Sequence, residues 1–309
     1  MNKEKIVAGL GQCSLDYITF VDGYPLEDSK HEVSPWFIQG GGPVATALVA
    51  LSRLGIKTRF MGIVSDDNVG RQIRAGLKDE NVDVLCLLEE TGGQSQMACI
   101  IVNRNTGSRT IFWNRPTVQL RDLTKVPETS LEAFLIDVSI LHLDGLMEDV
   151  SIELASRAHS LGIPVMLDAG SLRQRSLELI PMCNYVVASE RFSREMSANH
   201  EETLKILLRM GVCTATITLG AQGSITLQGD RLVQQPAYKV QVVDTTGAGD
   251  VFHGGYIYGL LMGWPIKEIL RFSSAVAAIK CTKPGGRSGI PSFSEAMGFI
   301  NSHNVTQDI

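Results

Sequence analysis

VDTTGAGDVFHGG, residues 243–255, decides how the rest of the chain reads. Gly247 and Gly249 stand between two acids, Asp244 and Asp250, and the sequence then runs into the apolar, small-residue stretch 251–262. That order describes a glycine-rich turn feeding a helix. The first amides of a helix have no intrahelical acceptor, and its aligned dipoles place about half a positive charge there, so an anion is welcome. Asp250 beside such a hole suits group-transfer chemistry, and it also suits simple capping of the helix.

The chain around this stretch has 309 residues, long enough to bury a sizeable core. With 20% charged residues and a formal net charge of −5, it offers no general attraction to nucleic acid or to an anionic membrane. Six scattered cysteines without a C-x-x-C pair read as reduced thiols in a cytoplasmic protein. The first residues lack a small-residue cleavage site and read as a strand rather than an export signal, and no run reaches transmembrane length. In that setting the sequon Asn304-Val305-Thr306 reads as chance.

Residues 6–10 form a candidate buried strand. The GLGQCS that follows departs from the dinucleotide fingerprint, because Ser14 replaces its third glycine and SLDYITFV continues as strand where a helix should open. This argues against a Rossmann oxidoreductase. Asp16 falls just past that strand's carboxyl end, where ligands collect in open α/β sheets. Residues 17–24 and 31–39 read as two strands, with Pro25 and Pro35 marking a turn and an edge. GGGPVATALVALSRLG then opens a helix at Pro43, and Gly40 to Gly42 leave backbone amides within reach of a polyol. Residues 94–102 and 109–113 flank the turn NRNTG as a second hairpin. Together these strands predict a small sheet outside the main one, suited to act as a lid and, at its edge, as a dimer contact. From residue 140 to 218 strands and helices alternate, which predicts a parallel sheet wrapped by helices on both faces. An antiparallel hairpin around Gly229-Asp230 and two helices, the last after Ser292, complete the α/β reading.

GGGPVATALVALSRLG, TLGAQG at residues 218–223 and DTTGAGDVFHGG, in that order, resemble the PfkB (ribokinase-like) family of carbohydrate kinases over nearly the whole chain. Through QPAYKVQVVDTTGAGDVFHG and CTKPGGRSGIP the resemblance is closest to ketohexokinase-like and sulfofructose kinase-like members. It implies a ribokinase-like three-layer α/β/α sandwich, one kinase domain over residues 1–309, with a lid built from about 17–39 and 94–114. The implied activity is ATP-dependent phosphorylation of a sugar hydroxyl, with Asp250 as general base and Gly247, Ala248 and Gly249 as the amide hole for the transferred phosphate. Asp16, Gly41, Gly42, Thr46 and Asp144 match sugar-binding positions, and Lys30 and Asn114 in the lid are placed to meet an anionic head group. Ser189, Thr218, Gly220 and Gly223 match the nucleotide side. Mg2+ would be held through ATP phosphates and water, since the sequence offers no dedicated carboxylate cage. Asp244, Thr246, Lys280, Lys283, Gly285 and Gly289 match a rim that holds K+ in several members.

The chain departs from the family pattern at three places. Thr46 stands for the usual asparagine, Ser189 and Phe192 replace an N-x-x-E pair, and Gly145 stands where sulfosugar enzymes carry an arginine. Gly145 favours a hexose or ketose acceptor of undefined identity over a sulfosugar, and whether that acceptor carries an anionic group stays open. Two other readings remain open. A nucleoside kinase of the same family would use the lid aromatics Trp36, Phe37, Phe112 and Trp113, and a non-catalytic sugar-binding homologue would lack the base that Asp250 supplies. The expected partner is a small sugar, with a homodimer formed through the lid.

Overall fold

Along Ile6–Leu10 every residue is buried, and the side chains alternate between two cores: Ile6, Ala8 and Leu10 on one face, Val7 on the other. That two-residue period with both faces covered is the signature of an interior parallel strand. The structure, a computed structural model, describes residues 4–304; Val305 and Thr306 of the sequon lie outside them. Nine strands form the large sheet, in the order Arg231–Gln235, Ser224–Gln228, Thr214–Thr218, Tyr185–Ser189, Val165–Ala169, Val138–Leu143, Ile6–Leu10, Lys57–Ser65 and Val82–Glu90. Pairing is parallel from Thr214–Thr218 through Val82–Glu90, and only the Ser224–Gln235 hairpin runs antiparallel. Asp144, Asp168 and Ser189 therefore gather at one edge of the sheet, where parallel strands end.

One helix face is unusual. Ala248–Leu261 buries every residue from Val251 to Gly259, so it has no polar side and must be sandwiched. It packs between Pro43–Arg53 and Ile266–Cys281, with Gly254 against the Ala47 carbonyl and Gly255 against Ser273. The small-residue run seen in the sequence is what lets these helices approach.

A second, four-stranded sheet has the order Phe37–Gly41, Ser14–Val21, Met97–Asn103, Arg109–Trp113. Its middle pair is parallel and its outer pairs antiparallel. Ile18, Phe20, Ala98, Ile100 and Val102 make its own small core, while Ile38, Met97, Ile111, Phe112 and Trp113 are exposed. Two details differ from the sequence reading. The expected strand at 31–39 begins only at Phe37 and runs through Gly41; residues 22–36 carry no regular structure and all but Val33 are exposed. Without a buried face or a ladder partner, and with Pro35 lacking an N–H, nothing holds that segment extended. The helices Glu128–Leu135 and Glu190–Met196 were not anticipated, being too short for a helical period to stand out. Among the described residues no helix is long and apolar enough to cross a membrane.

Candidate active site

Gly247 starts the Ala248–Leu261 helix in the left-handed region, with φ 73°. Glycine takes that conformation without a Cβ penalty, and a Cβ here would sit 2.9 Å from Gly286 Cα. The amides of Gly249 and Asp250 then have no acceptor within the helix, and no side chain caps this end. Ala248 differs from expectation: its N–H donates to the Thr245 carbonyl at 3.2 Å, so one of the three expected amides is engaged. Gly249 is open to solvent, with nothing within 4 Å of the place a Cβ would occupy.

Asp250 is the third residue of this helix and is half-buried. No hydrogen bond among the described residues engages its carboxylate, so it does not act as a cap. Burial pushes its pKa up to about 7, and the nearby charge of Asp168 adds to the rise, while His253 and Arg109 oppose it. Asp168 and Asp144 are likewise pushed up to about 7 by burial, and Asp168 raises Asp144 as it raises Asp250. The three acids form one electrostatically linked row, in that the charge of Asp168 raises both of the others. The sequence reading passed over Asp168, although VMLDAG placed an acid at the end of a parallel strand by the same argument that singled out Asp16. Below the row, His253 Nδ1 lies 3.4 Å from Asp168, and His142 packs 5.7 Å away, ring centre to ring centre. Burial lowers both imidazoles, His142 to about 3.

The expected sugar side is more tightly bound to itself than the sequence suggested. Asp144 accepts from the Gln12 amide at 2.8 Å and from the Leu146 amide at 2.9 Å, joining the turns after two adjacent strands. Asp16 is buried on the small sheet and accepts from Ser14 Oγ at 2.7 Å. Facing it is a residue the sequence reading missed, Arg287, which is 5% exposed. Its guanidinium donates to the Gly41 carbonyl at 3.2 Å and, at 3.5 Å, to Thr46 Oγ1. Burial lowers the Arg287 pKa and Asp16 raises it back; Asp16 is raised by burial and lowered by Ser14 and Arg287. The glycines of GGGP have a different reason from the one expected. A Cβ on Gly40 would collide with the Arg287 guanidinium, and one on Gly41 with the Asp16 carboxylate. They leave room for these two buried side chains, and they lie in a strand rather than a loop, with only Gly42 left to begin the next helix. Arg53 holds the Arg287 loop by donating to the Arg287 carbonyl at 2.8 Å and the Ile290 carbonyl at 3.2 Å. The one cation in PGGRSGIP was the available signal.

The remaining predicted residues divide. Thr218 ends its strand with Oγ1 donating to the Ala188 carbonyl at 3.3 Å, and Gly220 opens the following turn with free space around it. Gly223 instead backs onto the Gln235 carbonyl, and Ser189 caps Glu190–Met196 while donating to the Gly170 carbonyl at 2.8 Å. Asn114 accepts from the Met97 amide at 2.7 Å and is occupied in holding the small sheet together. Lys30 lies exposed on the irregular 22–36 segment. Arg109, not foreseen, reaches from the small sheet to donate to Thr245 Oγ1 at 2.9 Å, which sets a cation beside the helix start.

The six residues of the expected cation rim do come together. Asp244 is fully buried; its carboxylate accepts from the Thr246 amide at 2.8 Å and the Gly285 amide at 2.7 Å. Lys283 N–H donates to the Lys280 carbonyl at 3.2 Å, and Gly289 packs directly on that carbonyl. In their midst the Lys280 side chain donates from Nζ to the Asp244 carbonyl at 2.8 Å. Among the described residues no group of three His, Cys, Asp or Glu is arranged to hold a metal ion.

Residues 4–292 match the family described as pfkB family carbohydrate kinase. The chain is 26% identical over 304 residues to the ribokinase of Haemophilus influenzae, covering 96% of this chain and 98% of that one. It is 28% identical over 299 residues to the ketohexokinase of Mus musculus, covering 92% and 98%. The crystal structure of a putative ribokinase from Agrobacterium tumefaciens superposes with a TM-score of 0.86 at 25% identity, over 97% of this chain and 99% of that one.

Proposed function

The chain belongs to the pfkB family of carbohydrate kinases and is an ATP-dependent kinase for a sugar or nucleoside, and from that premise we propose that it phosphorylates a hydroxyl of a hexose or ketose with Asp250 as general base. The observation that carries this reading is the Asp250 carboxylate, unengaged and raised to about 7, one residue beyond an open amide. A base with that affinity can take a proton near neutral pH and release it again. The acceptor oxygen attacks the terminal phosphorus of ATP and its proton passes to Asp250. As the new O–P bond forms, the bond to the bridging oxygen breaks and ADP leaves with that electron pair. Phosphoryl transfer needs alignment and charge stabilisation more than covalent help. Of the expected Gly247, Ala248 and Gly249 amides, Ala248 is engaged, so the hole would use Gly249 with the neighbouring Asp250 amide, and Arg109 would add a positive charge beside them. ATP and Mg2+ fit kinases of this family; Mg2+ would neutralise phosphate charge, held by the nucleotide and by water. On the acceptor side, Asp16, held by Ser14, and Thr46, which accepts from Arg287, would bond sugar hydroxyls.

The exposed apolar residues Ile38, Ile111, Phe112 and Trp113 support a homodimer through the small sheet, which would also act as the lid. A Phe112→Asp variant should then run at half the wild-type mass in light scattering; an unchanged mass would remove that interface. For the activity, ADP release is measured across ketoses, aldoses, sugar phosphates, sulfosugars and nucleosides. A neutral ketose or hexose is expected to give the highest kcat/KM, and a nucleoside at the top would refute the acceptor assignment.

A further inference from the structure

The rim expected for a monovalent cation is assembled, but one of its ligands is already in use. Lys280 lies in the last turn of Ile266–Cys281 and is 0% exposed, and its Nζ sits 2.8 Å from the Asp244 carbonyl. An ammonium brings the single positive charge of a potassium ion together with N–H donors that suit carbonyl oxygens. A second cation at the same rim would stand against this charge, with Arg109 as a further positive group nearby. The donor set therefore does not fit a bound potassium ion.

We propose that Lys280 is a built-in cation that holds the phosphate-binding turn in shape, in place of a bound monovalent ion. The connection runs through Asp244. Lys280 fixes its carbonyl, while its carboxylate accepts from Thr246 on one loop and Gly285 on the other. Thr246 leads directly into Gly247, which rests on Gly286. The ammonium thus bridges the loop that carries the amides and the loop that supports it, which makes Lys280 a positioning residue. Its effect on turnover rests on the kinase reading above, whereas its effect on ion binding does not.

The test has two arms. In the first, thermal unfolding of the ligand-free protein is followed in equal concentrations of potassium, sodium and tetramethylammonium chloride. Wild type is expected to melt at one temperature in all three, and a rise of about 2 °C or more specific to potassium would overturn the proposal. This arm decides even if no acceptor is found. In the second, Lys280→Ala is assayed with the best acceptor. Its kcat is expected to fall about tenfold in tetramethylammonium, as when an oriented donor is lost, with little change in the acceptor KM, and to recover with potassium or methylammonium filling the space. Lys280→Met, which removes the charge but keeps the bulk, should show the loss without the recovery. Wild-type turnover that rises severalfold with potassium, or a Lys280→Ala enzyme at full rate without it, would overturn the assignment. Should Lys280→Ala not fold, the Lys280→Met variant and the wild-type ion series decide in the same way.

Discussion

The two ends of the site are built by different means. At the phosphate end the parts are backbone amides at a helix start, held by the buried Asp244 and Lys280 and by a glycine whose left-handed conformation no other residue adopts cheaply. At the proposed acceptor end the parts are side chains: Asp16, Thr46 and Arg287, with Lys30 exposed on an irregular segment. The first arrangement leaves little that a single surface substitution could change. The second can alter with one residue. On the proposed function, reaction type would be carried by the rigid end and acceptor choice by the adjustable one.

Each prediction strains one side of that contrast. The largest effect is expected from Asp250→Asn, which keeps the shape and removes the base: kcat should drop by about 10²–10⁴ with a much smaller change in either KM. A wild-type rate would refute the base. Arg287→Met should act at the other end, raising the acceptor KM about tenfold or more while leaving the ATP KM within about twofold, because Asp16 loses its facing cation. Equal changes in both constants would show that the two ends are not separable.

Asp168→Asn probes the link between them. Asp168 raises the pKa of Asp250, so its removal lowers that pKa, and the acid limb of kcat, expected near pH 7 in wild type, should move down by about one unit. The stability sign follows from the same shifts. Asp144, Asp168 and Asp250 are raised from 3.8 to about 7 in the fold, so the native state binds more protons than the unfolded chain between those values. Their contribution is full below the unfolded value and is lost as pH rises through about 7. Ligand-free Asp168→Asn should accordingly melt higher than wild type at pH 8, by about 2 °C, and lower melting there would contradict the linked row. The smallest effect belongs to Lys30→Ala, within about twofold on a neutral sugar. A tenfold loss confined to an anionic acceptor would move the substrate to the sulfosugar class.

Much of the fold was legible because its signals are local. Alternating strand and helix patterns placed the parallel sheet, and the hairpin around Gly229-Asp230 formed where its turn residues stood. Short helices such as Glu190–Met196 and the late start of the strand at Phe37 were not, since each depends on what covers it rather than on its own period. Among candidate site residues, Asp250 stands at a helix start as its glycine turn predicts and Asp144 is marked by the family resemblance, whereas Asp16, expected just past the first strand, lies within the strand Ser14–Val21 of the small sheet. Asp168 lies near the end of VMLDA much as other acids end parallel strands, and only its burial beside His253 sets it apart.

The stretch at residues 243–255 settled by sequence alone that a glycine turn feeds a buried helix with an acid in its first turn, because left-handed backbone, free first amides and small-residue packing depend on neighbours along the chain. Tertiary structure alone decided what surrounds that acid. The charge of Arg287 acts on Asp16, that of Asp168 acts on both Asp144 and Asp250, and Lys280 reaches Asp244 only after strands and helices far apart in sequence converge. A buried charge is stable only with a partner or a shifted pKa, and which partner it meets is set by where the chain returns.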